Sequence, residues 1–305
     1  MSSSVPLEHV PLPTLLAGPR RSAPGPDAAA LLRVHLTYLW RHKRRLRLAA
    51  PTRFTEMVQV RKLYDRDPRM PLLADKLAVK QFVRGRLGSQ WVIPTLWHGS
   101  ALPAAPAWEG PFVVKARHGC RQSLYVRTGR EDWQAIRHTA AGWMRRAYGA
   151  WLDEWLYRHI ERGILVEPFI GVGDRLPVDY KFYVFHGRVE FIQVHVDRES
   201  RHRWMLFDRA GKRVSAPSRD PDPAMPARLA RIIEAAEALG RGLDFVRADF
   251  YAESGRPRFG ELTFYPGSGL DPFDRPALDL EMGRIWRRLD PRDTRPIAPI
   301  HSSQG

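Results

Sequence analysis

An α+β fold is predicted because helical patterns and antiparallel hairpins are mixed along the chain. Three hairpins carry the prediction: residues 111–126 around the loop HGCRQ, residues 179–196 around a His-Gly turn, and residues 244–264 around Gly255. Each has two apolar runs rich in β-branched and aromatic residues, separated by turn residues. Segments with apolar residues at helical spacing lie before, between and after the hairpins, and this mixture is typical of the α+β class.

Size and charge limit the classes of protein. The chain has 305 residues, of which 44% are hydrophobic, which is enough for one large or two ordinary domains. The formal net charge of +16 indicates either attraction to anionic partners or a bias toward arginine without a function. A single cysteine, Cys120, excludes an internal disulfide and a cysteine-rich zinc site, and fits a reducing cytoplasm. We find neither a secretory signal pattern nor a run of about 20 apolar residues.

The first fifty residues divide into two segments. Residues 1–28, rich in Pro, Ser and Ala, predict a disordered leader. Residues 29–50 predict a basic amphipathic helix, whose pattern covers residues 28–48 and ends in RHKRRLR. Its expected apolar side is formed by Leu31, Leu32, Val34, Leu36, Leu39 and Trp40. Such a helix either lies on an anionic membrane at the inner, cytoplasmic face, or packs on the protein with its basic end in solvent.

The rest of the chain continues the mixed pattern. Residues 51–110 form a helical region, with one helix at 55–64 and a second at 74–87 that opens with Asp75. The run ILVEPFI at 164–170 predicts a buried strand. Further helical patterns cover residues 131–160, 223–240 and 278–289, and a flexible tail is expected at 291–305.

The last hairpin brings two carboxylates together. With a loop of Ser254, Gly255 and Arg256, Asp249 falls opposite Glu261, and Arg247 opposite Thr263. Directly opposed side chains share one face of a sheet, with Cβ atoms about 5 Å apart. Two carboxylates so placed repel each other unless a cation lies between them, and oxygen ligands of this kind suit a Mg²⁺ ion that carries a nucleotide.

Two interpretations of this pair are open. In the first, Asp249 and Glu261 hold the metal, and Arg247, two residues away on the same face, neutralises a phosphate. In the second, the two carboxylates are partners of the many surface arginines. Both stand in strands flanked by aromatic residues, where unpaired like charges are costly, which favours the metal site.

Lysines near apolar strands and turns add weaker signals. Lys115 ends a strand just before a glycine-containing turn, where it can reach phosphates or extend its ammonium group into solvent. Lys76 and Lys80 lie one turn apart on one helix face, which is ordinarily a solvated face. Glu167 ends a strand before Pro168, as at a domain hinge whose backbone can bond an adenine edge. Asp179 and Lys181 share one face of the following strand.

The order of these segments resembles the TupA-like branch of the ATP-grasp superfamily, which is associated with teichuronopeptide and other polysaccharide biosynthesis. The resemblance covers residues 54–288 and is carried by LADKLAVKQFV, IPTLW, FVVKARHG, ILVEPFI, DYKFYVFHGRVEFI, VRADFY and FGELTFYPGSG. It implies an ATP-grasp fold in which two α+β lobes, residues 111–290, clasp Mg·ATP. Residues 51–110 then precede the lobes, with the N-terminal helix as an addition.

The resemblance also implies roles for individual residues. Lys76 and Lys115 would contact phosphates, and Asp179 and Lys181 would contact ribose and phosphate. Residues Glu167, Pro168 and Phe169 would form the adenine-binding hinge. Arg247, with Lys115, would stabilise the transferred phosphoryl group, while Asp249, Glu261 and Thr263 would hold Mg²⁺. Thr263 departs from the Asn that many relatives have there, and HGCRQS has fewer glycines than a phosphate-covering loop often has.

The implied reaction is ligation of a carboxylate to an amine through an acyl phosphate, with ATP and Mg²⁺. The family association suggests an acidic glycan as the carboxylate substrate and an amino acid as the amine. One alternative is an ATP-dependent phosphotransferase at the same site, which releases a phosphoester instead of an amide. Another is a non-catalytic basic protein that binds glycan, nucleic acid or membrane, which leaves the paired carboxylates unexplained. No specific nucleic-acid partner is expected for the enzyme.

Overall fold

The computed structural model describes most of the chain. The described residues are 25–145, 148–173, 175–197, 199–217, 221–252 and 255–287. Most of the predicted leader, the predicted tail at 291–305, Ser254 and residues 288–289 therefore lie outside the described residues. No helix in these ranges is long and apolar enough to cross a membrane.

Helices account for the N-terminal part and for three later segments. The α-helices are α1 Ala28–His42, α2 Phe54–Tyr64, α3 Arg69–Ala74, α4 Val79–Leu87, α5 Trp133–Arg145, α6 Leu229–Gly240 and α7 Pro276–Arg287. Within the described residues, short 3₁₀ turns occur at Ser89–Trp91, Trp155–His159 and Pro266–Gly269.

Nine strands among the described residues form two antiparallel sheets. The strands are β1 Trp97–Gly99, β2 Phe112–Ala116, β3 Ser123–Val126, β4 Ile164–Pro168, β5 Asp179–Phe185, β6 Arg188–Val196, β7 Arg203–Asp208, β8 Phe245–Tyr251 and β9 Arg258–Thr263. The first sheet has the order β1-β4-β2-β3 and the second β7-β6-β5-β8-β9. The three predicted hairpins are confirmed, whereas β1 and β7 were not predicted. Because β1 lies within 51–110, this region is not purely helical.

Several predicted helices differ in their ends. The expected helix at 74–87 is divided, because α3 ends before Asp75, whose carboxylate accepts from the amides of Leu77 and Ala78 and opens a new turn. Residues 131–160 give α5 followed by a 3₁₀ turn, and the helix predicted at 223–240 begins only at Leu229.

Helix α1 ends earlier than the pattern predicted and buries a different face. It stops at His42, and Lys43 has a left-handed backbone with φ of 54°. Of the predicted apolar side only Val34 is buried, together with Ala30 and Tyr38. Leu32, Leu36, Leu39 and Trp40 are exposed. The helix therefore packs on the body along a narrow stripe and turns most of its large apolar side chains outward.

The second sheet separates an apolar face from a polar face. Helix α6 packs on the face that carries Phe182 and Val184, so closely that a Cβ at Gly240 would lie 2.5 Å from the Val184 side chain. Helices α2 and α7 pack on the opposite face, around Phe54, Phe245 and Trp286, whose rings are 4.5–5.4 Å apart. Alternation along the strands places Lys181, Arg247 and Asp249 on this opposite face, next to the aromatic cluster.

A β-bulge at Gly260 sets which residues of β9 face the polar side. Phe250 pairs with Phe259, but Asp249 pairs with Glu261, so Gly260 is the extra residue. The three-residue loop predicted Phe259 opposite Tyr251. This part of the register is wrong by one residue, because Tyr251 pairs with Arg258. The bulge lets Phe259 enter the core while Glu261 faces the site.

Candidate active site

One polar row crosses four strands of the second sheet. Gln193 of β6 pairs with Lys181 of β5, which pairs with Asp249 of β8, which pairs with Glu261 of β9. In the adjoining row, Arg247 lies opposite Thr263. The predicted opposition of Asp249 to Glu261 and of Arg247 to Thr263 is therefore confirmed.

Asp249 lies between two cations. Arg247 donates from Nε to Oδ1 and from Nη2 to Oδ2, both at 2.7 Å, and Lys181 Nζ donates to Oδ2 at 2.6 Å. The carboxylate is 2% exposed. Burial raises the pKa of Asp249 above its ordinary value even though Arg247 and Lys181 oppose the rise. A further positive charge at this carboxylate would therefore stabilise its ionised form.

Glu261 is more accessible and is surrounded by positive charge. Lys76 Nζ is 4.0 Å from one of its oxygens, and Arg247 Nη2 is 3.5 Å from the other. Burial alone would raise the pKa of Glu261, but Lys76, Lys181 and Arg247 outweigh it and lower this pKa. The Thr263 hydroxyl donates to Glu261 at 3.3 Å and accepts from Arg247 at 3.1 Å, so it joins the two groups.

The row beside Lys181 carries Asp179 and His195, which are cross-strand partners. The Asp179 carboxylate is 2.6 Å from Lys181 Nζ, so this lysine bridges Asp179 and Asp249. His195 Nδ1 lies 2.9 Å from His202 Nε2. Burial and the nearby positive charges of Lys181 and Arg247 lower the pKa of His195 to about 2. The imidazole is therefore neutral at physiological pH.

A second cluster lies on the first sheet around Glu167. Its carboxylate accepts from Lys115 at 2.6 Å and lies 2.5 Å from Lys80 Nζ. Burial alone would raise the pKa of Glu167, but Lys115 and Lys80 outweigh it and hold this pKa below its ordinary value. Lys115 is thus paired with Glu167 rather than extended into solvent.

Lys76 and Lys80 do not share a solvated helix face. Lys76 lies in the turn before α4, and its ammonium group donates to the carbonyl of Gly119 in the β2–β3 loop. Lys80 lies in α4, is 6% exposed, and also donates to Thr95 Oγ1 at 2.6 Å. Both lysines therefore belong to the site, one in each cluster.

The HGCRQ loop is held close to Glu261 by its own contacts. Arg117, at the end of β2, makes a two-pronged ion pair with Asp75 at 2.8 Å. The Cys120 thiol lies 3.1 Å from the Tyr157 hydroxyl, and burial raises the pKa of this thiol. Burial therefore keeps the thiol protonated, while the contacts fix the loop beside Lys76.

The predicted hinge lies at the end of β4. Strand β1 pairs with Ile164–Val166, so its ladder stops one residue before Glu167. The amide of Phe169 donates a hydrogen bond to the carbonyl oxygen of Pro111 at 3.0 Å, on the side of β4 that pairs with β2. The ring of Phe169 packs edge-on against Tyr125, with centroids 6.0 Å apart. Pro168, which lies between Glu167 and Phe169 in the sequence, is half-buried. The backbone edge of Glu167–Phe169 that faces away from β2 therefore lies beyond the last residue that pairs with β1. A planar ring can bind along this edge.

Sequence analysis did not assign three side chains to the site. Lys80 was noticed but interpreted as solvated, although its place in the apolar run AVKQFV was a signal of burial. Gln193 and His195 were not singled out. Their position opposite Lys181 and Asp179 depends on a bulge between Tyr183 and Val184, which the two-residue turn does not predict.

The arrangement fits a nucleotide with its metal. Asp249 and Glu261 offer hard oxygen donors on one face, and five cations surround them and Glu167. Within the described ranges, no group of three or more His, Cys, Asp or Glu side chains is placed to hold a metal by itself. Two carboxylates suit Mg²⁺ when substrate phosphates supply further oxygens.

A comparison with models of protein families identifies the family of this chain. A model of the TupA-like ATP-grasp family matches residues 56–286, and no curated protein matches the sequence. Solved structures similar to this one include the D-alanine–D-alanine ligase of Bacillus anthracis with ATP, at 14% identity and a TM-score of 0.41, covering 71% of this chain and 68% of that chain. The ATP-grasp ligase PsnB, with its minimal precursor, is 15% identical with a TM-score of 0.40, covering 73% and 62%.

A third similar structure is the VanG D-Ala:D-Ser ligase of Enterococcus faecalis, at 13% identity and a TM-score of 0.40, covering 70% of this chain and 60% of that chain. This chain therefore spans about six to seven tenths of the length of these proteins. The family match covers three quarters of the chain and includes every residue of the two clusters. The chain belongs to the TupA-like ATP-grasp family.

Proposed function

We propose that the protein joins a carboxylate to an amine at the expense of ATP. The observation that carries the proposal is the row Lys181–Asp249–Glu261, with Arg247 beside it and with Lys76 Nζ 4.0 Å from Glu261. A carboxylate oxygen of the substrate attacks the terminal phosphorus, and the bond to the bridging oxygen breaks as ADP leaves. The amine then attacks the acyl carbon, inorganic phosphate leaves, and the amine loses a proton.

The residues of the chain supply binding and charge neutralisation. Asp249 and Glu261 would hold Mg²⁺, with Thr263 orienting Glu261, and bound Mg²⁺ would neutralise charge on the phosphates. Lys76, Lys115 and Arg247 would bind phosphate oxygens, which for phosphoryl transfer supplies most of the acceleration. The backbone edge of Glu167–Phe169 that does not pair with β1 would bind adenine.

Lys181, Asp179 and Lys80 would prepare the site. Lys181 would bind phosphate oxygens, while Asp179 would keep its ammonium group oriented and accept a hydrogen bond from ribose. Lys80 lies deeper and would fix Glu167. None of these steps needs a protein nucleophile, and we assign none to Cys120.

An acidic glycan or glycan precursor is the proposed carboxylate substrate. A groove of about 340 Å³ lies at strand β7, where Trp204 is the cross-strand partner of His195. Arg203 and Arg213 also line the groove, and Arg213 pairs with the exposed Asp222. An aromatic ring and guanidinium groups are suited to the apolar face of a sugar and to its carboxylate.

Thermal unfolding with Mg·ATP tests the nucleotide site. Wild type should gain about 2.7 kcal/mol at a ligand concentration about 100 times Kd, and chelation of Mg²⁺ should remove most of the gain. Glu261→Gln and Asp249→Asn should lose it, whereas Glu190→Gln, which also removes one carboxylate of the same sheet but pairs with the exposed Arg188, should keep it. No gain in folded wild type would contradict the proposal.

Product analysis separates the ligase from the phosphotransferase. With Mg·ATP, an acidic saccharide and an amine, the ligase should release ADP, phosphate and an amide in equal amounts. A stable phosphoester in place of free phosphate would identify the phosphotransferase. Trp204→Ala should raise KM for the saccharide while the Mg·ATP-dependent rise in the midpoint is retained.

A further inference from the structure

The outward side of α1 is an unusual surface for a protein in water. Leu32, Leu36, Leu39 and Trp40 are 59%, 55%, 45% and 67% exposed, and they follow one another at helical spacing on one side of the helix. We call these four residues the apolar face of α1. Scattered exposed apolar residues are normal, but contiguous ones mark an interaction site.

The helix cannot turn this face inward, because contacts on its other side fix its rotation. Val34 and Tyr38 are 2% and 0% exposed, and the Tyr38 hydroxyl lies 3.0 Å from Thr55 Oγ1. At the two ends, Arg33 pairs with Asp153, and His42 Nε2 lies 3.0 Å from the carbonyl of Gly269. The apolar face of α1 is therefore presented outward by a rigidly attached helix.

The charged residues of the helix and of the segment after it all have one sign, although the exposed Asp271 lies 3.8 Å from Arg41. Arg41, Lys43, Arg45 and Arg47 are exposed at the C-terminal end of the helix and just beyond it. No acidic residue occurs in the sequence between Asp27 and Glu56. The guanidinium group of Arg41 lies 5.6 Å from the centre of the Trp40 ring, so a cation is attached to the aromatic end of the face.

We infer that the apolar face of α1 binds the surface of an anionic lipid bilayer. Leucines and a tryptophan would enter the boundary between headgroups and acyl chains, with the helix lying parallel to the surface. The four cations would contact anionic headgroups, each adding to the affinity. This surface is separate from the site of the proposed ligation, but it would hold that site near membrane-bound substrates.

Charge argues against the two other occupants of such a face. A second copy of the chain, placed on the same face by two-fold symmetry, would offer these cations no acidic partner from its own residues 28–55. Residues 1–24 of this chain contain one acidic residue, Glu8, and two arginines, so they do not complement the cations. An anionic bilayer matches both the apolar side chains and the charge.

Vesicle flotation of the full chain tests the inference. Vesicles of phosphatidylcholine with about one third phosphatidylglycerol should bind wild type at low salt, and binding should weaken as salt rises. Leu36→Glu should bind at least about tenfold more weakly. The matched control, Leu96→Glu, changes an exposed leucine by the same charge elsewhere and should change binding less than about twofold.

Further variants and measurements separate the contributions. Arg45→Gln combined with Arg47→Gln should weaken binding to the anionic vesicles by about tenfold and leave any binding to pure phosphatidylcholine unchanged. A Mg·ATP-dependent rise in the unfolding midpoint of Leu36→Glu, equal to that of wild type, would show that the variant is folded and that the two sites are independent.

Three results would overturn the inference. One is the lack of binding of wild type to anionic vesicles at low salt. Another is equal binding by Leu36→Glu and Leu96→Glu, which would assign the attraction to the overall charge of +16. The third is a dimer of wild type, detected by sedimentation, that Leu36→Glu dissociates, since the face would then belong to a second copy.

Discussion

At the scale of single residues, Glu167 shows how the site is assembled from distant segments. One buried carboxylate, 5% exposed, pairs with Lys80 from α4 and Lys115 from β2. Each lysine partly compensates the burial of the carboxylate, and removal of one leaves Glu167 with a single cationic partner inside the protein.

Lys80→Met should lower the free energy of unfolding by about 1–3 kcal/mol, because Glu167 loses one of two cations and Thr95 loses its donor. Urea unfolding measures the change. Lys212→Met, at an exposed lysine, should have an effect below about 0.5 kcal/mol. Equal effects of the two substitutions would contradict the buried role of Lys80.

His195 should make stability depend on pH. Its pKa falls from 6.5 to about 2 on folding, so below pH 6.5 the unfolded chain takes up a proton there that the native protein does not. This contribution to stability is present above pH 6.5 and is lost as pH falls, by about 2 kcal/mol between pH 6.5 and pH 5. His195→Gln should remove this part of the pH dependence, measured by urea unfolding at both pH values. His98→Gln, at an exposed imidazole, should retain it; a wild-type slope in His195→Gln would contradict the assignment.

Residue types predicted part of the candidate site. Carboxylates in apolar strands, such as Asp249, identify themselves because burial of a charge needs a compensating partner. Lys80 was misjudged because spacing on a helix says which residues share a face but not which face meets the protein.

At the scale of elements, two bulges decide which side chains reach the polar face of the second sheet. Phe259 and Glu261 are two residues apart and would share a face in a regular strand. The extra residue Gly260 turns them to opposite faces, with Phe259 3% exposed against Phe250. The register counted from the length of the loop predicted the pair Asp249–Glu261 correctly. Near the loop the predicted pairs were wrong by one residue, because such counting does not reveal a bulge.

The turn after β9 should tolerate no side chain at Gly269. Its φ is +65°, and a Cβ there would lie 2.9 Å from the carbonyl oxygen of Thr55 and 2.8 Å from Val58. Gly269→Ala should therefore destabilise the protein by about 3 kcal/mol, from overpacking and backbone strain together.

Gly110→Ala is the matched control, because Gly110 has φ of +71° but no atom within 4 Å of the added Cβ. It should cost only about 1 kcal/mol. Thermal or urea unfolding compares the two, and equal losses would mean that strain alone, without a clash, accounts for Gly269.

At the scale of the whole molecule, Asp279 of α7 joins two neighbouring segments that lie more than 200 residues earlier in the sequence. Its carboxylate accepts from the amide and hydroxyl of Thr55, both at 2.9 Å, and from Arg44 at 2.6 Å. The N-terminal helix is thus fastened to α7 through the segment that follows it.

Asp279→Asn should lower the free energy of unfolding by about 3 kcal/mol, because Arg44 and the buried Thr55 hydroxyl lose their charged acceptor. Urea unfolding, with proteolysis of residues 28–50 as a local probe, measures the effect. Asp271→Asn, at a carboxylate 70% exposed and 3.8 Å from Arg41, should change little. Unchanged stability of Asp279→Asn would refute the fastening role.

The sequence predicted the α+β class and the three hairpins because these depend on local patterns. It did not predict β1 or the order β1-β4-β2-β3, since β1 pairs with a strand more than sixty residues later. A three-residue strand has too few positions for alternation to be recognised. Long-range pairing of this kind was available only through the family resemblance.

The pairing of lysines and arginine with internal carboxylates has a consequence for ions in solution. The site places five cations among four carboxylates, so the ligand-free site recruits few anions from the buffer. The cations are Lys76, Lys80, Lys115, Lys181 and Arg247, and the carboxylates are Glu167, Asp179, Asp249 and Glu261. Nucleotide phosphates would replace carboxylates of the protein as partners of these cations, so few ions bound from solution would be released. The affinity for Mg·ATP should therefore vary little with ionic strength, although the chain as a whole carries a charge of +16 and its exposed cations respond to salt.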